Sequence, residues 1–220
     1  MKHASLPSPI GDLCIAANSK GICYADFGPP SKLQLALFKL KPAIVSEFVP
    51  QSALQSRRED PEVSFLISVT EKLETYFRSD DSASKNDVFD KLVLDLSVWG
   101  TPFYRKVWAE VRKVECGKAI SYEELSVRVA GTTKACRAVG AANGKNPISI
   151  IIPCHRIVGK DGSLTGYGGG IERKRWLLEW ERSGKTVALR DCSSDCVMRG
   201  KKRSLSGAGD GVENKRRKRV

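Results

Sequence analysis

No stretch of this 220-residue chain approaches the roughly 20 consecutive apolar residues that a membrane helix requires. Met1 to Gly11 also lacks the apolar core of a secretory signal, so an intracellular protein with no membrane partner is expected. A disulfide framework is missing too. The seven cysteines (14, 23, 116, 136, 154, 192 and 196) are odd in number and irregularly spaced, in a chain long enough to build a core without staples, and they read as reduced thiols. A composition of 41% hydrophobic, 28% charged and 7% aromatic residues excludes collagen, coiled-coil and wholly disordered chains. The length suits one large domain or two small ones.

What the chain has in excess is positive charge, +12 overall, and that charge is localised. Residues 1–115 carry 15 Lys and Arg against 15 Asp and Glu, residues 116–181 carry 10 against 6, and residues 182–220 carry 12 against 4. The last segment has no aromatic residue and contains Ser and Gly around Gly207 to Gly211, so 183–220 is expected to be a disordered basic tail. Its clusters Lys201-Lys202-Arg203 and Lys215 to Arg219 are separated by 11 residues, a spacing that suits a two-part nuclear import signal. An import receptor acting through 201–219 and a nuclear location are therefore expected, with a plain solvated tail as the alternative.

Ahead of the tail, Leu13 to Ala17 and Ile22 to Phe27 flank the turn Asn18-Ser19-Lys20-Gly21 and read as a hairpin. Phe65, Leu66, Val69, Leu73 and Phe77 recur at helical spacing, and Leu92 to Leu96 suits a further strand fragment. These elements form a small α/β unit without a catalytic constellation. Gly100-Thr101-Pro102 then punctuates the chain, with Thr101 placed to cap a helix whose stripe is Phe103, Val107, Trp108 and Val111. Ser121-Tyr122-Glu123-Glu124 is a capping box, followed by Leu125, Val127 and Val129 up to Gly131. A helix from Lys134 to Asn143 comes next, so the pair reads as a helix-turn-helix. In that second helix Ala135, Cys136, Ala138, Gly140, Ala141 and Ala142 are small and Arg137 is the one long cation. Small side chains allow either close approach to a nucleic-acid groove or tight packing on a neighbouring helix, and the sequence alone supports both.

The chemistry concentrates at Pro153-Cys154-His155-Arg156, after the apolar run Ile148 to Ile152. A thiol acts as a nucleophile only as thiolate, and an imidazole can take its proton directly or through water. An ordinary buried cysteine beside a core histidine accounts for the adjacency equally well. Arg156 adds a cation, Pro153 restrains the turn, and Glu179 or Glu181, on a helix from Glu172 to Arg182 with the stripe Trp176, Leu177 and Trp180, can orient the imidazole. Ile157 to Thr165 reads as a hairpin turning at Lys160 to Gly162. In Gly166-Tyr167-Gly168-Gly169-Gly170, an aromatic among glycines can wall a flat ligand, and no Gly-Lys-Ser/Thr ending makes it a phosphate loop.

Thr101-Pro102-Phe103, Gly117 to Tyr122, Arg137-Ala138-Val139-Gly140, Asn146-Pro147, Pro153 to Arg156 and Gly166-Tyr167 together resemble one family, the O6-alkylguanine-DNA alkyltransferases, or methylated-DNA–protein-cysteine methyltransferases. The resemblance covers most of residues 98–181 and extends more weakly to Ser8-Pro9-Ile10-Gly11. It implies an α+β chain of two domains: a ribonuclease-H-like α/β domain over 1–97, and a winged-helix-like helical domain over 98–182 whose helix-turn-helix enters the minor groove of double-stranded DNA. It implies single-use transfer of the alkyl group of O6-alkylguanine, and of O4-alkylthymine, to the protein, by a monomer and without a cofactor.

Residue by residue, the resemblance makes Cys154 the alkyl acceptor, His155 its water-mediated base and Glu181 the carboxylate that orients the histidine, leaving Glu179 on the surface. Arg137 becomes the finger that replaces the flipped guanine, Tyr122 a group acting near guanine and phosphate, and Asn146 a hinge between recognition helix and acceptor. Tyr167 and Gly168 line the pocket, while Ala135, Ala138 and Arg156 are expected at the DNA or substrate surface. Some relatives hold a structural zinc, but His3, Cys14 and Cys23 do not make a four-ligand set, so no metal is expected. Gly168-Gly169-Gly170 predicts room for alkyl groups larger than methyl. Two other classes stay open: a non-catalytic lesion-binding protein, and a cysteine hydrolase using Cys154, His155 and Glu181, against which the small-residue helix with Arg137 argues.

Overall fold

The computed structural model describes residues 1–41, 43–79, 85 and 87–185. The expected tail, with both basic clusters, lies outside the described residues except for 183–185. The expected hairpin forms as β2 (Leu13–Asn18) and β3 (Gly21–Phe27). It is part of a larger sheet in the order β3-β2-β1-β4, with β1 (Lys2–Leu6) antiparallel to β2 and the short β4 (Glu47–Phe48) parallel to β1. Leu13 to Ala17 are all buried in succession, so β2 is covered on both faces rather than on one.

Three helices flank the sheet in sequence: α1 (Pro30–Leu40), α2 (Gln51–Leu54) and α3 (Pro61–Arg78). The sequence pattern missed α1 because its apolar residues lie on both sides: Leu33 and Leu37 are buried, whereas Leu35, Phe38 and Leu40 are exposed. The helix expected around Phe65 to Phe77 starts earlier, at Pro61, because the Asp60 side chain accepts from the amides of Glu62 (3.1 Å) and Val63 (3.4 Å). Its buried stripe of Val63, Leu66, Ile67, Val69, Leu73 and Tyr76 belongs to the core.

Strand β3 is the sheet edge, and two later segments cover it. Ile22 donates to Val93 O (2.9 Å) and accepts from Asp95 N (2.8 Å). Ala25 donates to Pro147 O (3.0 Å) and accepts from Ser149 N (2.6 Å). The fragment Leu92 to Leu96 is therefore a single parallel bridge, Ile22 to Leu94, and not a strand of its own. The second segment is the apolar run leading to Cys154, so the sheet edge directly fixes the chain that carries the thiol.

The remainder is helical: α4 (Pro102–Arg112), α5 (Tyr122–Ala130), α6 (Cys136–Gly144) and α7 (Ile171–Ser183). Thr101 Oγ1 accepts from Tyr104 N at 3.3 Å at the start of α4. The capping box is complete, with Ser121 Oγ accepting from Glu124 N (3.0 Å) and Glu124 Oε2 accepting from Ser121 N (2.6 Å). Gly131 ends α5 at φ 69, a left-handed conformation in which an L side chain is strained. Helix α6 begins two residues later than the sequence suggests, because Thr132 caps a short 3-10 turn, Thr133–Ala135, that precedes it. Trp108 Nε1 donates to Ala142 O at 2.8 Å and ties α4 to the end of α6. The hairpin expected over 157–165 is corrected: β6 (Ile157–Val158) pairs in parallel with β5 (Ile120–Ser121) and has no return strand. Only the tight turn remains, closed by Gly159 N donating to Ser163 O at 2.8 Å.

Candidate active site

After docking on β3, the chain must reverse within a few residues to reach Pro153. It does so through Ile150, a buried β-branched residue at φ 71. A non-glycine residue in that region costs on the order of 1–2 kcal/mol and persists only where its surroundings over-determine it. Ile152 N then donates to Ile148 O (2.9 Å), and Cys154–Arg156 forms a 3-10 turn. Asn146 fastens the loop. Its Nδ2 donates to Ile152 O (2.8 Å) and to the Cys154 sulfur (3.0 Å), and its Oδ1 accepts from Ile148 N (3.0 Å). Asn143 Nδ2 donates to Cys154 O at 3.2 Å.

Burial pushes the Cys154 thiol up to about 11, with the Asn146 hydrogen bond and Lys174 opposing and Asp26 reinforcing the rise. At pH 7 such a thiol is ionised in only about one molecule in 10⁴, so nucleophilic use requires a base. His155 is wholly buried, with Nε2 2.9 Å from Glu181 Oε1. Burial opposes the charge of Glu181, yet the His155 imidazole and the Arg156 guanidinium hold its carboxyl well below the usual carboxylate range. An ionised carboxylate only accepts, so Nε2 carries the hydrogen and Nδ1 keeps its lone pair. Nδ1 is buried with no hydrogen-bond partner among the described residues, and burial lowers the imidazole's proton affinity. The ring is therefore a neutral imidazole with one basic nitrogen available.

Arg156 sits elsewhere than expected. It is 6% exposed, with Nε donating to Glu181 Oε2 (2.9 Å), Nη2 to Oε1 (2.8 Å) and Nη1 to Val114 O. The assignment of Arg156 to the DNA or substrate surface is thus corrected: its planar fork is fully committed inside the protein, where Glu181 needs a counter-charge. Glu179 pairs instead with Arg182 on the outer side of α7.

Beside the sulfur is a cavity of about 40 Å³ lined by Asp26, Asn143, Asn146, Ser149, Cys154 and Tyr167, together with Gly144, Gly166 and Gly168. The last three glycines and Tyr167 also line the neighbouring groove, with Tyr122, Cys136, Arg137 and Gly140. The structure therefore brings Cys154, Asn146, Tyr167 and Gly168 to one wall and Tyr122 and Arg137 to the next. In α6, Val139, Ala142 and Asn143 face inward, whereas Arg137, Ala138 and Ala141 are exposed and Ala135 is half-buried just before the helix. Packing thus accounts for Ala142, and the exposed small residues flank Arg137 on the open face. A larger concavity, about 800 Å³, lies behind α5 between Val127, the Gly159 to Gly162 turn and Glu179, and contains neither Cys154 nor Arg137.

Residues 102–183 match the model of the 6-O-methylguanine DNA methyltransferase DNA-binding domain. The chain is 36% identical over 176 residues to a methylated-DNA–protein-cysteine methyltransferase of Haemophilus influenzae, covering 80% of this chain and 83% of the relative. To that of Methanosarcina barkeri it is 35% identical over 183 residues, covering 83% and 98%. The chain belongs to the methylated-DNA–protein-cysteine methyltransferase family. Against the family member of Salmonella typhimurium the identity is 47%, but the 113 aligned residues span only 51% of this chain and 61% of the relative. A crystal structure of Mycobacterium tuberculosis OGT in complex with DNA has a similar fold, with a TM-score of 0.65 and 32% identity over 87% of this chain and 100% of that one.

Several residues of this methyltransferase-family site escaped the sequence reading. Asp26 on β3 accepts from Ser149 Oγ at 2.9 Å and lines the cavity, although the two residues are 123 positions apart. Lys174 is fully buried in α7, donating to Ile157 O (2.6 Å) and Thr165 O (3.0 Å). Its lysine-in-a-stripe position, three before Leu177, was the available signal. Tyr76 on α3 reaches Glu181, and nothing in its local sequence marks it out.

Proposed function

We propose that the protein repairs DNA by direct reversal, moving the alkyl group of O6-alkylguanine, and of O4-alkylthymine, onto Cys154. One observation carries this reading: a buried thiol held by Asn146, next to a neutral histidine polarised by an ionised Glu181, lines a cavity that shares Gly144, Gly166, Tyr167 and Gly168 with the groove at Arg137. An O6 substituent lies inside the duplex, so the nucleotide is extruded while Arg137 fills the vacancy, and the small exposed residues Ala135 and Ala138 let α6 approach the minor groove. Tyr167 and Gly168 wall the extruded base.

His155 Nδ1 then takes the Cys154 proton through a water, and the thiolate attacks the alkyl carbon in line. The C–O bond breaks as the S–C bond forms, and guanine leaves as its O6 anion. The Tyr122 hydroxyl donates to that oxygen and is restored from solvent. The proton removed from the thiol resides on the His155–Glu181 pair until solvent removes it. The product is a thioether without an electrophilic carbonyl, so water does not regenerate the thiol and one molecule repairs one lesion.

In this reading the N-terminal part is ribonuclease-H-like, the C-terminal part is winged-helix-like, and the protein acts as a monomer in the nucleus. Its basic segment 201–219 supports import-receptor recognition and adds sequence-independent attraction to phosphates. The test is intact-protein mass after incubation with a duplex containing O6-methylguanine, alongside Cys154→Ala. One methyl on the wild type only, mapped to Cys154 and equal in amount to lesion lost, is expected. Lesion binding by both proteins with no adduct would instead make this a binding module.

A further inference from the structure

The carboxylate behind the histidine is shared by two distant parts of the chain. Glu181 Oε1 receives His155 Nε2 (2.9 Å), Arg156 Nη2 (2.8 Å) and the Tyr76 hydroxyl (2.8 Å). Oε2 receives Arg156 Nε (2.9 Å) and the Gly117 amide (3.3 Å). Of these donors only Tyr76 comes from the first part of the chain, from α3 and 105 residues before Glu181. It is completely buried, so its hydroxyl does not exchange this partner for solvent. The ring is fixed against Phe77 (5.2 Å) and Phe89 (5.4 Å), and its own carbonyl accepts from Trp180 Nε1 at 3.3 Å, one residue before Glu181. Helix α3 thus holds both the Trp180 indole and the Glu181 carboxylate at the end of α7.

We infer that Tyr76 is a positioning residue that tunes the basicity of His155 through Glu181, so that acceptor chemistry in the C-terminal part depends on α3. The inference rests on His155 acting as the base for Cys154. Three donors compete for the electron density of one oxygen. Each hydrogen bond to the ionised carboxylate weakens what remains for the imidazolium that forms when His155 accepts a proton. Removing the tyrosine hydroxyl therefore strengthens the His155–Glu181 interaction and raises the proton affinity of the histidine. More of the base is then already protonated at a given pH.

Lys174 titrates at the upper end of the range from pH 5 to 8, away from the acid limb that reports His155, while Arg156 and the two thiols titrate outside it. Arg156 is a permanent cation, the ammonium of Lys174 is lowered by burial only to about 8, and burial pushes the thiols of Cys154 to about 11 and Cys116 to about 12. Lys85 completes this buried shell by donating to Trp180 O at 3.0 Å.

The experiment compares wild type and Tyr76→Phe in single-turnover transfer from O6-methylguanine duplex between pH 5 and 8, with thermal unfolding in parallel. The acid limb of the Tyr76→Phe profile is expected to move upward by about one unit, with DNA affinity unchanged. A lower unfolding temperature with a superimposable pH profile would reduce Tyr76 to a structural part and overturn the inference. If instability prevents kinetics, the histidine is read directly in the free proteins by ¹⁵N NMR titration, where His3 supplies the only other signal. An upward shift of the His155 midpoint supports the inference, and an unchanged or lowered midpoint refutes it. Absence of Cys154 methylation in the wild type would refute the proposed function instead, and the titration would still decide the Tyr76–Glu181–His155 coupling.

Discussion

Replacing Arg156 by methionine separates an internal role from a DNA-contacting one. The side chain is buried and makes three hydrogen bonds, two of them a fork on Glu181 and the third to Val114 O. Methionine has comparable length and fills the space, so the main loss is the counter-charge of a fully buried carboxylate. Breaking a buried pair by removing one partner costs about 3–5 kcal/mol, out of a total stability of about 5–15 kcal/mol for a typical domain. In a chain of this size that corresponds to about 6–20 °C in Tm. The assay is urea unfolding at several pH values, with DNA affinity measured over a salt series. The depressed Glu181 carboxyl contributes stability that is complete above about pH 5 and is lost as pH falls through its unfolded value of about 4.3 towards the lower folded one. Arg156→Met should weaken that acid dependence, while the slope of DNA affinity against salt stays as in wild type, because no phosphate contact is removed. Unchanged stability together with a shallower salt slope would place Arg156 on the DNA and refute the internal assignment.

Asn146→Ala removes the donor to the Cys154 sulfur and two fasteners of the loop, and should slow transfer by about 10- to 100-fold in single-turnover kinetics, the value of one charge-assisted hydrogen bond. A rate within twofold of wild type would exclude it from the site. Burial lowers Lys174 to about 8, so in the folded protein it loses its proton before the unfolded chain does at about 10.4, and its contribution to stability rises with pH between those values. The difference in unfolding free energy between Lys174→Met and wild type should vary across that window, and a flat difference would contradict the burial argument. A Cβ on Gly169 would come within 2.8 Å of the Tyr167 ring and 2.9 Å of the Phe27 ring. Gly169→Ala should therefore displace Tyr167 and lower transfer by about 10- to 100-fold with DNA binding retained, and an unaltered rate would show that Tyr167 is not a wall of the pocket.

What the sequence made legible was local. The caps at Thr101 and Ser121, the stop at Gly131 and the Cys154–His155 adjacency each depend on neighbours a few residues away, and all are found in place. Choosing Glu181 over Glu179 required the family resemblance, because both lie on the last turns of α7 and the choice depends on which faces the turn carrying His155. Long-range pairings were not legible: Tyr76 and Asp26 carry no local mark, and they meet the site only because α3 and β3 pack against it. Arg156 was misplaced for the complementary reason. Sequence places an arginine beside a nucleophile, but only burial shows whether its fork faces phosphate or carboxylate.

The absence of a catalytic constellation from the first part of the chain does not make that part a passive support. An edge strand with free amides and carbonyls tends to pair with other chains, and β3 is instead covered by the segments at Leu94 and Ile148. The second covering segment leads to Cys154, so protecting the edge and positioning the thiol are one interaction. It also explains the left-handed Ile150: docking on Ala25 fixes the direction in which the chain leaves the sheet, Asn146 fixes where it must arrive, and the reversal between them requires an unfavourable φ. The strain is tolerable because one end is anchored by backbone hydrogen bonds to Ala25 and the other by the Asn146 side-chain amide. Loosening either anchor would let Ile150 relax to an ordinary φ and carry Cys154 away from Asn146, so the geometry of the thiol is set as much by β3 as by the turn that bears it.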